Sequence, residues 1–412
     1  MNETSPTKNQ ASPKLHKLIV QKYGGATLAT PEKIKQVAHR IHQLYQSGTQ
    51  VVVVVSAMGD TTNSLIALAH QISERPALRE MDMLLSVGER MSMSLLSMAL
   101  NDLGCPAISF TGSQAGILTD ESHINAQIID VKGFRVQEAL QKNLVVIMAG
   151  FQGVSPLTKE ITTLGRGGSD TSAVAMAAYL KADQCEILKD VDGVYTADPK
   201  KIPNAQHIEK LNYEHLVQMT SWGAKVLHQN SVKMAQQKNV KLFVGSAADT
   251  FHNGTIITHD YQFNKQQALA LNSFQNVYSL QTNLNHADFN SYLHQNQIGA
   301  TQNLPFQTQS SLLQPNQNIQ FITAPIETLN ALSEFEEKQS FYKIINKKLS
   351  TVSITFSQST NDALLKEVLI SLKKNNIKIE ESFYSQQSLH FLILAQDHLQ
   401  TLQCLHKQIV AV

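Results

Sequence analysis

The sequence predicts an α/β protein: a large domain with a mainly parallel sheet, followed by a smaller region of α+β, ferredoxin-like units. Three observations carry the prediction. Short β-branched runs alternate with helix-spaced stretches over the first 260 residues, and glycine-rich turns follow those runs. The pattern then changes after about Asp260, beyond which Gly299 is the only glycine and Gln and Asn become frequent.

Each element follows from its local pattern. Residues 1–16 are polar, carry Pro6 and Pro13, and are expected to form a disordered tail. The apolar run 18–21 reads as a strand that stops at Gly24-Gly25. Ile34, Val37, Ile41 and Leu44 give helical spacing over 31–45. The β-branched run 51–56 reads as a buried parallel strand. The Met- and Leu-rich stretch 81–100 predicts one long helix, and strands are expected at 107–110 and 144–149. A helix over 171–179 and strands at 185–188 and 241–244 close the series. In the tail, 349–356 alternates as a strand, 362–375 is helical, 377–384 and 389–395 are strands, and 397–410 is a final helix. That βαββα order fits a ferredoxin-like unit, and 277–280, 288–294 and 319–322 suggest a second one.

Composition narrows the function classes. Lys and Arg number 34 against 33 Asp and Glu, so no basic surplus points to nucleic acid or an anionic membrane as partner. The longest apolar runs are strand-sized, and the start has no apolar stretch resembling a secretory signal. Three scattered cysteines (Cys105, Cys185 and Cys404) form neither a disulfide frame nor a metal cluster. A reducing cytoplasm is the expected location, and no resident metal site is expected.

The chemistry is expected in the glycine-rich first part. Lys22-Tyr23-Gly24-Gly25-Ala26-Thr27 joins a strand to a helix; it is either a phosphate cradle, with Lys22 reaching the same oxygens, or an ordinary joint. Ser56 to Asn63 is a hydroxyl-rich loop at a strand's carboxyl end, suited to ligand contact or to helix capping by Asp60 or Thr61. Gly165-Arg166-Gly167-Gly168-Ser169-Asp170-Thr171 precedes a helix that Ser169 or Asp170 could cap. An arginine amid three glycines also suits bidentate grip of a carboxylate or phosphate. The acidic turn 190–199 suits Mg²⁺ or a nucleotide, or is plain surface, and Gly223-Ala224-Lys225 offers another lysine beside a glycine. Neither a P-loop nor the protein-kinase motif set is present.

In this order, these runs resemble the aspartate kinases of the amino-acid kinase family. The resemblance rests on Lys22-Tyr23-Gly24-Gly25, on 55–65, 81–89 and 111–117, on Gly150-Phe151-Gln152-Gly153, and on 162–171, 190–199 and 223–228. It spans roughly residues 18–258 and implies a three-layer α/β/α catalytic domain over 17–260. The tail, 261–412, is similar to paired, nested ACT domains, with approximately 278–345 inserted into 262–277 plus 346–412.

The implied activity is ATP-dependent phosphorylation of the β-carboxylate of L-aspartate to 4-phospho-L-aspartate, with ATP and Mg²⁺ as cofactors. This would be the first step of lysine, threonine and methionine biosynthesis. By resemblance, Lys22 and Asp170 are the catalytic candidates. Ser56, Thr61, Glu89, Arg166 and Ser169 would face the substrate, with Glu89 on its ammonium and Arg166 on a carboxylate. Lys22, Gly24, Gly25, Lys189, Asp190, Tyr195, Asp198 and Lys225 would face ATP. The chain departs from the family pattern at Lys189, where Thr is usual, and at Gln229-Asn230, where Pro-Arg is usual. The ACT-like tail implies a homodimer and an amino-acid effector such as lysine or threonine, although its loop from Ser357 lacks the usual glycine. Two other readings stand beside this one: a related kinase with another carboxylate acceptor such as N-acetylglutamate, and a catalytically weak amino-acid-sensing subunit. Glu89 bears on the first, because an acetylated amine has no ammonium for it to meet.

Overall fold

A sheet covered on both faces needs strands that are apolar throughout, and Val51–Val55 of the strand Gln50–Val55 is such a run. Val52 and Val54 enter one buried cluster, whereas Val51, Val53 and Val55 enter another on the opposite face. The computed structural model describes residues 17–248, 253–263, 267–282, 288, 302–304, 318–323, 342–359, 362–385 and 387–410. The expected N-terminal tail lies outside them, as does nearly all of the suggested element at 288–294.

The main sheet contains β1 (Leu18–Tyr23), β2 (Gln50–Val55), β3 (Ala107–Phe110), β4 (Val145–Ala149), β5 (Gln184–Lys189), β6 (Lys210–Asn212), β7 (Leu242–Ser246) and β8 (Gly254–Thr258). Its order is β6-β8-β7-β5-β1-β2-β4-β3, and every pair is parallel except β7 with β8. Helices α1 (Pro31–Gln46), α2 (Thr61–Ile72), α3 (Leu78–Leu85) and α4 (Val87–Asp102) come from the first part of the domain. They are followed by α5 (Phe134–Gln141), α6 (Gly168–Leu180), α7 (Tyr213–Ser221) and α8 (Gln229–Lys238). Helices α1 and α4 pack on one face through Ile34, Val37, Ile41, Leu96 and Leu100. Helices α5 to α8 cover the other, giving three layers. The chain runs from β1 to β2 on one side and later returns to place β5 on the other. The carboxyl ends of β1, β2 and β5 therefore meet at a topological switch point, where α/β sheets bind ligands.

Several expectations change. The stretch 81–100 is not one helix, because Ser86 separates α3 from α4. The Ser86 carbonyl accepts from Gln152 Nε2 at 2.9 Å instead of continuing the helical ladder. The helix expected over 171–179 begins three residues earlier, at Gly168, so Ser169 and Asp170 lie within its first turn and neither caps it. Nor do the side chains of Asp60 or Thr61 cap α2. A four-stranded sheet of Ile117–Thr119, Ile128–Val131, Gln152–Val154 and Ile161–Thr163, not foreseen from the sequence, flanks the domain.

The tail forms one sheet in the order β10-β11-β9-β12-β14-β13. Its strands are β9 (Ala268–Thr282), β10 (Gln302–Leu304), β11 (Asn318–Thr323), β12 (Tyr342–Phe356), β13 (Ile379–Ser385) and β14 (Ser388–Leu394). With α9 (Asp362–Lys374) and α10 (His398–Leu405), the run from β12 has the βαββα order read in the sequence. The final helix is shorter than expected: α10 stops at Leu405 and a π-turn spans His406–Val410. The tail seats on the large domain. Ala197 and Ile202 share a buried cluster with Leu271, Ile354 and Leu402, and Trp222 stacks on His390 with ring centroids 3.6 Å apart. No helix among the described residues is long and apolar enough to cross a membrane.

Candidate active site

Lys22 is the fifth residue of β1 and faces Val54 and Ile187 in register, which puts its side chain at the switch point. Its Nζ lies 2.6 Å from Asp170 Oδ1, and both side chains are buried. Asp170 stands in the first turn of α6, and its other oxygen lies 3.3 Å from Lys189 Nζ at the end of β5. Burial alone would raise the Asp170 carboxyl, but the two ammonium groups hold it down to about 2. Burial also lowers the Lys189 ammonium, partly offset by Asp170. The centre is thus two cations bridged by one permanently ionised carboxylate, a net positive site at the mouth of a parallel sheet.

Around it, the glycine loops close in. The Gly24 N–H donates to the Leu188 carbonyl at 3.2 Å, tying the loop after β1 to β5. A Cβ on Gly25 would come within 2.7 Å of the Ala57 carbonyl oxygen, so only glycine lets the loops after β1 and β2 touch. Ser56 begins the second loop, its N–H bonded to Tyr23 O. Ser169 packs against Gly150, where an added Cβ would lie 2.9 Å from the Cβ of Ser169 and 2.9 Å from Val54.

Glu89 enters from the first turn of α4. It is 3% exposed, its Oε1 accepts the Ala57 N–H at 3.0 Å, and its Oε2 has no hydrogen-bond partner among the described residues. Burial pushes its carboxyl up to about 7, against the pull of the Ala57 N–H and the Lys22 charge. Next to it, Gly88 packs on Ala57 and Thr61, which brings Thr61 to the same corner. An uncompensated buried carboxylate oxygen is a receptor for a cation.

Arg166 is exposed on the loop between Gly165 and Gly167, and among the described residues no carboxylate pairs with it. Asp82 supports that loop, and sequence reasoning gave it no role. This fully buried carboxylate accepts from His123 Nδ1 at 2.6 Å, from the Ile124 N–H at 3.0 Å and from Thr163 Oγ1 at 2.5 Å. It holds Ile124 at φ +68°, a costly conformation for a β-branched residue, directly beneath Gly165. An acidic residue amid the apolar run Met81–Leu85 was the available signal.

The remaining candidates form a looser second group. Asp190 is exposed, and its charge bears on Lys189. Tyr195 donates its hydroxyl to Asp192 Oδ1 at 2.8 Å and packs edge-on against His207. Exposed Asp198 accepts the Lys200 N–H at 3.0 Å, and nearby Lys201 feels both Asp198 and Lys225. The structure brings Lys22, Gly24, Gly25, Ser56, Glu89, Ser169, Asp170 and Lys189 together, with Tyr195, Asp198 and Lys225 set apart toward the tail. Among the described residues, no group of three or more His, Cys, Asp or Glu side chains is placed to hold a metal.

A cationic centre at the switch point of a three-layer domain, with glycine loops on both sides, is an arrangement suited to phosphate-bearing anions. The chain belongs to the amino acid kinase family, whose model matches residues 17–246. Its relatives there are aspartokinases. It is 54% identical over 230 residues to an aspartokinase of Mycolicibacterium smegmatis, covering 56% of this chain and 55% of that protein. It is 38% identical over 402 residues to aspartokinase 2 of Bacillus subtilis strain 168, covering 94% and 97%. The match thus spans about half the length of the first of these curated relatives, and nearly all of the second. In fold, it is similar to Escherichia coli aspartokinase III in complex with aspartate and ADP, with TM-score 0.78 at 23% identity over 96% of this chain and all of that one.

Proposed function

We propose that this chain is an aspartate kinase, transferring the γ-phosphoryl group of ATP to the β-carboxylate of L-aspartate to give 4-phospho-L-aspartate and ADP. The observation that carries the reading is the Lys22–Asp170–Lys189 centre beside a buried Glu89 whose Oε2 is unpartnered among the described residues.

A carboxylate acceptor, with a pKa near 4, is already a nucleophile at neutral pH, so no general base is required. The new bond joins a β-carboxylate oxygen to γ-phosphorus as the bond to the β,γ-bridging oxygen breaks, and ADP leaves with that electron pair. Charge then builds on the equatorial oxygens and the leaving oxygen, which the Lys22 ammonium and backbone N–H groups stabilise. Lys22 is placed for the transferring group, held by Asp170, and the loop at Gly24 and Gly25 for the phosphates. Mg²⁺ enters as the MgATP complex, with phosphates and water as its main ligands. Glu89 takes the substrate ammonium, Arg166 its α-carboxylate, and Ser56, Thr61 and Ser169 line the acceptor. Asp190, Tyr195 and Asp198 face the nucleotide, and Lys225 its phosphates. Glu89 favours a free amino acid over an acylated one, and the intact cationic centre favours an enzyme over a sensor.

In this reading residues 17–260 are the catalytic domain. The tail is an ACT-like pair whose open sheet edge at β13 suits pairing with a second copy, and it receives any amino-acid effector.

Purified protein with ATP, Mg²⁺, aspartate and hydroxylamine is expected to yield aspartyl hydroxamate. Lys22→Ala is expected to lower kcat by about 10²–10³-fold. Hydroxamate formed from another acceptor but not from aspartate would refute the substrate, and an unimpaired Lys22→Ala would refute the site.

A further inference from the structure

The loop between α7 and α8 carries exposed Lys225, and its next residue, Val226, reaches the end of β5. It is fastened at its ends: the Ala224 N–H donates to Met219 O at 2.9 Å, and Gln229 Nε2 donates to Ser221 Oγ at 2.6 Å. Its start also lies flat against the tail, since a Cβ on Gly223 would meet the Ser273 carbonyl oxygen at 2.4 Å. In its middle, among the described residues, the hydrogen bond to the catalytic sheet is one, from Lys189 Nζ to Val226 O at 2.6 Å. The same ammonium lies 3.3 Å from Asp170 Oδ2, whose other oxygen holds Lys22. One partly buried cation therefore links three things: the carboxylate that orients Lys22, the end of β5, and the peptide next to Lys225.

We propose that Lys189 is a positioning residue that clamps the Lys225-bearing loop to Asp170, so that nucleotide affinity depends on it more than the transfer step does. The inference rests on the phosphotransfer reading above. The physical argument is one of tethering. A charge-assisted bond to a backbone carbonyl fixes the loop at one atom, and it places Lys225 before nucleotide arrives. Without it, the Val226 carbonyl turns to water and Lys225 must be ordered at the expense of binding free energy. Lys22 keeps its shorter contact with Asp170 in either case, so the transferring group loses less. A Lys189 that instead met the transferring phosphoryl group would act on the rate, because such a contact strengthens only in the transition state.

The test uses the full chain and reads ADP affinity by titration calorimetry, which needs no acceptor, alongside kcat with aspartate. Lys189→Met is expected to raise the Kd for ADP about tenfold, the loss of one charged hydrogen bond, while kcat falls less than about threefold. The KM for aspartate is expected to stay level. In a Lys225→Met background the same substitution is expected to change the ADP Kd less than about twofold, because the tether then holds nothing that contacts nucleotide. An unchanged ADP Kd, a kcat loss as large as the affinity loss, or multiplying effects in the double variant would overturn the proposal. Should Lys189→Met fail to fold, Lys189→Gln, which keeps a donor but loses the charge, is read the same way. A wild-type protein that binds ADP but phosphorylates no aspartate would refute the proposed substrate and leave the Lys189 measurement decisive. One that binds no ADP would overturn both.

Discussion

Glu89 shows how a single buried side chain sets a binding condition. Its ordinary value near 4.5 is pushed up to about 7 by burial, so near neutrality it is only partly ionised until a cation arrives. An ammonium needs the ionised form. The KM for aspartate is therefore expected to rise as pH falls below about 7, toward tenfold per unit, while Glu89→Gln gives a high and pH-independent KM. Steady-state kinetics between pH 6 and 8.5 check this, and an unaltered wild-type slope in Glu89→Gln would contradict it. Stability moves the other way. Between the ordinary and raised values the folded protein holds a proton that the unfolded chain releases, so stability falls as pH rises through that window. Removing the charge is thus expected to stabilise the ligand-free protein more at pH 8 than at pH 5, as denaturant titrations would read. Asp170 contrasts with it: paired on both oxygens and held down to about 2, it stays ionised throughout that range.

At the scale of elements, the break between α3 and α4 decides where Glu89 points. It depends on Gln152, 1% exposed, donating to Ser86 O from the neighbouring small sheet. Gln152→Leu leaves that carbonyl buried without its donor and is expected to cost about 1–3 kcal/mol in chemical denaturation. An unchanged midpoint would mean that the helices separate for another reason. The same element explains what the sequence discloses and what it withholds. Strands β1, β2 and β5 and the loops after them are legible because a doubly buried strand is apolar throughout and a close backbone approach demands glycine. Those are local requirements, satisfied by Val51 to Val55 and by Gly24 and Gly25 within a few residues. The helix break is not legible, because its cause lies more than sixty positions along the chain, in Gln152. The role of Asp82 is hidden likewise: its partners His123, Ile124 and Thr163 meet it only after folding. Lys189 stands between these cases. The sequence marks it as unusual, but its hold on Val226 O belongs to tertiary structure.

At the scale of the whole molecule, histidines join the two regions. His390 on β14 is fully buried against Trp222 and Phe383, His406 faces Thr196 Oγ1 at 3.0 Å, and His215 faces the Ser357 carbonyl at 3.1 Å. Burial pushes the His390 imidazole down to about 3 from its ordinary 6.5. Between those values the unfolded chain binds a proton that the folded one refuses, so stability drops as pH falls from about 6.5 toward 3. Replacing the ring with His390→Phe is expected to flatten part of that decline, read as denaturation midpoints at pH 7.5 and 4.5. An equal decline in both proteins would assign the acid sensitivity elsewhere. The two long tail strands have a different consequence, one of timing. Strand β9 lies at the centre of its sheet, yet its partners β11 and β12 both follow it in the chain. During synthesis β9 therefore emerges with both edges open, and the tail closes only after β12 leaves the ribosome. The main sheet, complete by Thr258, can form first and offers Trp222 and Gly223 as a surface on which the waiting strand settles.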